Sequence, residues 1–193
     1  MHNPFTRFHE WMEALPYAED DMRRVGMTLA TVNAGGVPSA RIVLLRNYDE
    51  RGFVFYTNME SRKSSDLNAN PNACLNFCWI ELSRQIRITG KVERVSDAEA
   101  DTYYNSRPLL NRIGAWASSQ SRPLPSREEL LDKVEALEKK YSESNPPPRP
   151  AYWSGWRVVP SEIEFWQEGS HRLHDRDLYT RTPGGWSLTK LYP

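Results

Sequence analysis

Short apolar runs separated by turns of a few residues dominate the first half of this chain. Met27–Val32 and Pro38–Tyr48 flank Asn33-Ala34-Gly35-Gly36, and Asp49-Glu50-Arg51-Gly52 leads into Phe53–Thr57. Links of this length, rich in Gly, Asn and Asp, close hairpins. A parallel neighbour would need a crossover of a dozen residues or more, so these strands are expected to pair antiparallel. Ala73–Trp79 and Arg84–Val95 continue the series. Trp156–Val159, Ile163–Gln167, Arg172–Tyr179 and Trp186–Leu191 supply strands near the C-terminus, with Thr182-Pro183-Gly184-Gly185 as the last turn.

Helical signals are fewer. Asn3-Pro4 reads as an N-cap with Pro in the first turn, and Phe5, Phe8, Trp11, Met12 and Leu15 then recur at helical spacing. Ser61–Asn70 is a short helix stopped by Pro71. Ser96 with Glu99 forms a capping box that opens a helix running to about Arg107. Ser126 with Glu129 repeats the signature, and Leu130, Val134, Leu137 and Tyr141 mark the stripe that this second helix would bury. Asn145–Pro150 holds four prolines and reads as a stiff connector. Many short antiparallel strands with a few helices predict a mainly β fold, a barrel decorated by α-helices. At 193 residues the chain is expected to form one domain, 1–193.

Composition excludes several classes. Lys+Arg and Asp+Glu both number 25, so the net charge is zero and the chain lacks the basic excess of a general nucleic-acid binder. No apolar run approaches the roughly 18 residues of a membrane span, and no signal peptide is visible, which makes the cytoplasm the default location. Cys74 and Cys78 lie about 13 Å apart if extended, against the roughly 7 Å a disulfide allows, so free thiols are expected. His171 and His174 would face opposite ways on a strand, while His2 and His9 are remote in sequence. No metal site is predicted.

Cationic and polar residues set into apolar, strand-like sequence point to chemistry. Arg41 and Arg46 bracket the aliphatic Ile42-Val43-Leu44-Leu45. Ser61-Arg62-Lys63-Ser64 places two cations and two hydroxyls at a helix start, and Thr57 precedes it; such donors suit a phosphate. A solvated charged turn is the plainer reading of that segment. Tyr103 and Arg107 share a face of the capped helix, Gln85 opens a strand, and Gln120-Ser121 sits in a polar loop. The densest segment is Glu164-Phe165-Trp166-Gln167-Glu168-Gly169-Ser170-His171-Arg172-Leu173-His174-Asp175-Arg176. On a strand, Arg172, His174 and Arg176 would line one face, a cationic cluster that calls for an anion or an acidic partner.

These segments resemble the pyridoxine/pyridoxamine 5′-phosphate oxidase family from about residue 4 to the C-terminus. The likeness is carried by Arg41–Leu45, Phe55-Tyr56-Thr57-Asn58, Ser61-Arg62-Lys63, Arg84-Gln85, Ser106-Arg107-Pro108, Ile113-Gly114-Ala115-Trp116, Gln120-Ser121, Glu164–Gln167 and Arg172–Arg176. The resemblance implies an FMN-binding split β-barrel, antiparallel, whose strands from 156 to 193 complete the active site. It implies a homodimer with FMN at the subunit interface, part of each site coming from the partner. Arg41, Thr57, Arg62 and Lys63 would hold the FMN phosphate and ribityl chain. Backbone of Ile42, Val43, Leu44 and Leu45, with Tyr56 and Gln85, would line the flavin, and Gln120, Ser121, Trp166 and Arg176 would also touch it. Arg46, next to the cofactor, would bind the substrate phosphate with Tyr103, Arg107 and Asn111. Arg172 and His174 would sit against the pyridine ring as the catalytic pair. The implied reaction oxidises phosphorylated B6 vitamers with dioxygen.

Three departures stand out. Arg46 replaces the usual Lys with a planar fork, Asn111 stands where a Ser is common, and the chain begins almost at its first helix, without the arm that covers the substrate in some relatives. In a regular strand Arg41 and Arg46 face opposite sides, so serving one pocket requires a bulge or a strand end between them. The alternatives are a related flavin oxidase acting on another ring, as in phenazine-type biosynthesis, and a non-catalytic split-barrel cofactor binder.

Overall fold

The computed structural model describes residues 3–193; His2, one of the four histidines weighed above, lies outside them. In chain order the elements are α1 (Pro4–Glu13), α2 (Met22–Val25), β1 (Gly26–Val32), β2 (Pro38–Leu44), β3 (Asn47–Asp49), β4 (Gly52–Asn58), α3 (Arg62–Ala69) and β5 (Asn72–Trp79). They continue with β6 (Arg84–Arg94), α4 (Asp97–Ser106), α5 (Leu109–Ala117), α6 (Arg127–Lys140), β7 (Trp153–Gln167), β8 (Asp175–Thr182) and β9 (Gly185–Lys190). Every strand pairing is antiparallel, and the sheet runs β2-β1-β5-β6-β7-β4-β3, with β8 and β9 added on the other length of β7. This is the split barrel that the hairpin spacing and the resemblance led one to expect.

The long strand β7 is the spine. Its first half pairs with β4 and its second with β8, while β6 follows it over most of its length. The sequence reading divides it in two at Pro160-Ser161, and the structure shows why. The β6–β7 register shifts between Thr89 and Gly90, so a bulge bends the ribbon there without ending it. Alternation then places Leu75, Phe77, Ile86, Ile88, Ile163 and Phe165 in the core. Helix α1, capped by Asn3 and started by Pro4, lays Phe8 edge-on to Tyr48, Phe53 and Phe77, at centroid distances of 4.8, 4.9 and 5.3 Å.

Other expectations need correction. Pro38–Tyr48 is not one strand: β2 ends at Leu44, and Leu45 turns into the core, its N–H bonded to the Val25 carbonyl. Helix α6 starts at Ser126 as expected, but Leu130, Val134, Leu137 and Tyr141 are only half-buried in the single chain. Helix α5 was not foreseen, because Pro108 occupies its N-cap and no Ser, Thr, Asp or Asn announces it. Cys74 and Cys78 are free thiols. No described helix is long and apolar enough to cross a membrane, and no group of metal-ligating side chains occurs among the described residues.

Candidate functional site

A cavity of about 690 Å³ opens where β2 ends, walled by Ile42, Val43, Leu44 and Arg46, by Tyr56 to Asn58 of β4, and by Lys63 of α3. Tyr103 and Arg107 close it from the end of α4, Leu110, Asn111 and Gly114 from α5, and Trp153 and Gln120 from the floor and rim. The volume lies in the range of small-molecule sites. Termination of β2 at Leu44 is the strand end that the odd Arg41–Arg46 spacing demanded. It turns Arg46 toward the cavity while Arg41 stays in the ladder.

One end of the cavity gathers hydroxyls and an amide around a half-buried ammonium. Lys63 Nζ donates to Thr57 Oγ1 at 3.1 Å, Ser61 Oγ at 3.2 Å and Gln120 Oε1 at 2.6 Å, all neutral acceptors. Burial, then the nearby Arg41 charge, push the Lys63 ammonium down to about 8. A cation held at that cost on neutral acceptors, with no carboxylate beside it, suits an anionic ligand. Arg41 stands behind it, its guanidinium bonded to Thr31 Oγ1 and Ser39 Oγ and 3.6 Å from the buried Asp66 carboxylate. Arg41 and the exposed Arg62 therefore lend charge to the cluster, but neither lines the cavity.

The other end is cationic and aromatic. Tyr56, Tyr103 and Trp153 cluster with near-parallel rings, Tyr56 lying 4.1 Å from Tyr103 and 5.3 Å from Trp153, and those two 6.1 Å apart. Gly155 permits this, since a Cβ there would meet the Tyr56 ring at 2.8 Å. The Arg107 guanidinium lies 4.9 Å from the Trp153 ring and Arg46 lies 5.9 Å from Tyr103. Arg107 Nη1 is buried and has no hydrogen-bond partner, and burial lowers its pKa. A buried donor left open in this way fits an anionic ligand.

Helix α4 delivers these groups because its first turn is clamped. Ser96 and Glu99 form the expected capping box. Glu99 also receives Arg157 of β7 at 2.6 Å, and Arg149 of the proline-rich connector grips Asp97 and Asp101 at 2.8 and 2.5 Å. The helix stops where Pro108 forbids another turn, leaving Arg107 at its C-cap.

The remaining expected residues form a second group. Register sets Gln85, Trp166 and Arg176 side by side across β6, β7 and β8. His174 packs on Trp166 at 4.7 Å and accepts a long bond from the Gly169 N–H. The period-2 expectation for Arg172, His174 and Arg176 fails, however. Ser170–Arg172 is a 3₁₀ turn, His171 and Arg172 have φ of 57° and 64°, and β8 begins only at Asp175. The acidic partner that this cluster called for is Glu164, which pairs with Arg176 at 2.8 Å. None of these residues lines the cavity, and Arg41, Leu45, Arg62 and Ser121 do not either. Counted across β2, β1, β5, β6 and β7, four strand spacings separate Ile42 from Glu164, about 19 Å along the sheet.

The sequence reading missed Trp153, the floor of the aromatic end, by starting the strand at Trp156. Its signal was present: an aromatic residue directly after Pro150-Ala151-Tyr152, where a stiff connector must hand over to a strand. Of the face that α5 gives to the cavity, the sequence reading named Asn111 as a site residue but not Leu110 or Gly114.

Comparison with known proteins agrees with this geometry. Residues 23–141 match the family model described as pyridoxamine 5′-phosphate oxidase, and residues 153–193 match one described as the pyridoxine 5′-phosphate oxidase C-terminal dimerisation region. A pyridoxine/pyridoxamine 5′-phosphate oxidase of Cupriavidus taiwanensis is 50% identical over 99% of this chain and 89% of its own length. That of Burkholderia lata is 52% identical, over 100% and 90%. Among solved structures, PhzG from Burkholderia lata, in complex with tetrahydrophenazine-1-carboxylic acid, superposes with a TM-score of 0.89 at 31% identity, covering 99% of this chain and 93% of PhzG. On both sequence and fold, the chain belongs to the pyridoxamine 5′-phosphate oxidase family.

Proposed function

We propose that the protein is an FMN-dependent oxidase that converts pyridoxamine and pyridoxine 5′-phosphates to pyridoxal 5′-phosphate. Dioxygen accepts the two electrons and becomes hydrogen peroxide; the amine substrate also takes up water and releases ammonia. The observation that carries this reading is a single cavity with two anion-seeking ends, Lys63 with Thr57 and Gln120 at one, and the unpartnered Arg107 with Arg46 at the other. One end suits the phosphate of the cofactor and the other the phosphate of the substrate. Bound FMN supplies the two-electron chemistry; the chain supplies position and charge.

In this reading Arg107, Arg46 and Tyr103 grip the substrate phosphate, a contact remote from the reacting carbon whose energy serves to orient it. Asn111 offers an amide beside them. Arg172 and His174 hold the ring and assist removal of the proton at the C4′ substituent. Because those two residues and Trp166 lie outside the cavity of their own chain, a complete site takes them from a second copy, in a homodimer with FMN between subunits. The match of residues 153–193 to a dimerisation region supports that assembly.

The likeness to PhzG favours one other reading, a related oxidase acting on a phenazine precursor. Two observations weigh against it. A lone carboxylate would not need two guanidiniums, and the chain is 52% identical to the Burkholderia lata oxidase named for B6 vitamers but 31% identical to PhzG of that species. Anaerobic addition of pyridoxamine 5′-phosphate to the purified flavoprotein tests the proposal. Bleaching of the flavin absorbance that reverses in air is expected. A flavoprotein that ignores this compound but is bleached by a dihydrophenazine carboxylate would overturn it.

A further inference from the structure

Glu164 is a buried carboxylate that the proposed chemistry does not use. It lies on β7 directly across from Arg87 of β6 and is 3% exposed. Both oxygens are engaged: Oε2 accepts from Arg87 Nη2, and Oε1 accepts from Arg176 Nε at 2.8 Å. Arg176 is held a second time, its Nη1 donating to the Tyr192 carbonyl at 2.9 Å. That leaves Nη2 as the guanidinium nitrogen without a partner among the described residues, on a residue directly across the ladder from Trp166. Burial alone would raise the Glu164 pKa, yet the two arginines hold it below the usual carboxylate range, so the group stays charged. A buried charge paired on both sides fixes geometry at a desolvation cost, an arrangement that packing alone would not require.

We infer that Glu164 is a positioning residue: it locks the Arg176 guanidinium beside Trp166 with one nitrogen free for the flavin, and it sets the net charge that the flavin meets there. The inference rests on the proposed FMN site. Its carboxylate offsets one of two guanidinium charges. Removing that charge exposes the flavin to more positive potential, which stabilises the more negatively charged reduced form, while the loosened Arg176 binds the cofactor less well.

The test uses the purified holoprotein and its Glu164→Gln variant, a nearly isosteric change. The variant is expected to show a more positive flavin midpoint potential and an FMN dissociation constant raised about tenfold, the equivalent of one lost oriented contact. Combined with Arg176→Gln, the same change should add little to the loss of FMN affinity, because that part of the effect travels through Arg176. A flavoprotein whose E164Q variant keeps its potential and FMN affinity overturns the inference, as does an undiminished loss of affinity in the R176Q background. If E164Q does not fold, Glu164→Asp takes its place; its shorter carboxylate loses reach to one arginine and should weaken FMN binding only where Arg176 is present. A wild-type chain that takes up no FMN refutes the cofactor reading itself, a result distinct from a flavoprotein indifferent to E164Q.

Discussion

At the scale of single residues, Lys63 states the site's economy most clearly. Its pKa of about 8 lies below the ordinary 10.5, so the unfolded chain holds a proton between those values that the folded chain has released. Stability of the cofactor-free protein should therefore rise with pH across that window, the desolvation cost being felt in full below pH 8. Lys63→Met is expected to raise the melting temperature of the FMN-free chain at pH 7, yet to weaken FMN binding by about tenfold to a hundredfold, the worth of a charge-assisted contact. Because a bound phosphate favours the protonated amine, wild-type affinity for FMN should fall as pH rises past about 8. Fluorescence titration and thermal melts check all three, and a destabilised K63M chain would sink the idea. Residues such as Lys63 and Thr57 were legible because hydroxyls and cations crowd a helix start. Arg172 and His174 were legible as residues but not as geometry. Period-2 reasoning presumes an extended backbone, and two left-handed residues break it.

At the scale of elements, the capping box of α4 was written plainly in Ser96 and Glu99, whereas the second duty of Glu99 was not. Nothing local links it to Arg157, 58 residues away and 4% exposed. Glu99→Ala removes the reciprocal half of the capping box, the acceptor for the Ser96 N–H, and leaves Arg157 with only Glu93, which is 55% exposed. A loss of about 1–3 kcal/mol is expected, as for leaving the buried Arg157 donor unpaired. With the helix freed at its start, Tyr103 and Arg107 at its end should lose alignment, so KM for the phosphorylated substrate should rise more than kcat falls. Urea denaturation and steady-state kinetics measure the two effects. An unchanged KM would detach the clamp from the site. Strand β7 shows the converse limit: Pro160 and the polar Ser161-Glu162 look like a break, and only the partner strand reveals a bulge that carries the ribbon onward.

At the scale of the whole molecule, composition and hairpin spacing sufficed for the barrel, but no pattern in one chain says that a site is divided between copies. The cavity and the Trp166–Arg176 group lie on separate parts of the sheet, and the proposed dimer brings one from each chain together. Arg107→Ala and Arg172→Ala chains should each be nearly inactive alone. Mixed under conditions of subunit exchange, they form hybrids in half of the dimers, each with one intact site of two, so activity should return to about a quarter of wild type. No recovery would place both residues of a site in the same subunit.

The left-handed turn at His171 and Arg172 bears on how related chains diverge. Two successive side-chain-bearing residues with φ of 57° and 64° each forgo about 1–3 kcal/mol that relaxed backbone would keep. Glycine would remove most of that penalty at either position. A lineage in which this edge of the pocket fell idle would thus gain stability by drifting to glycine there. The side chains found at these two positions become a record, readable across descendants, of whether the turn is still under selection for what it presents.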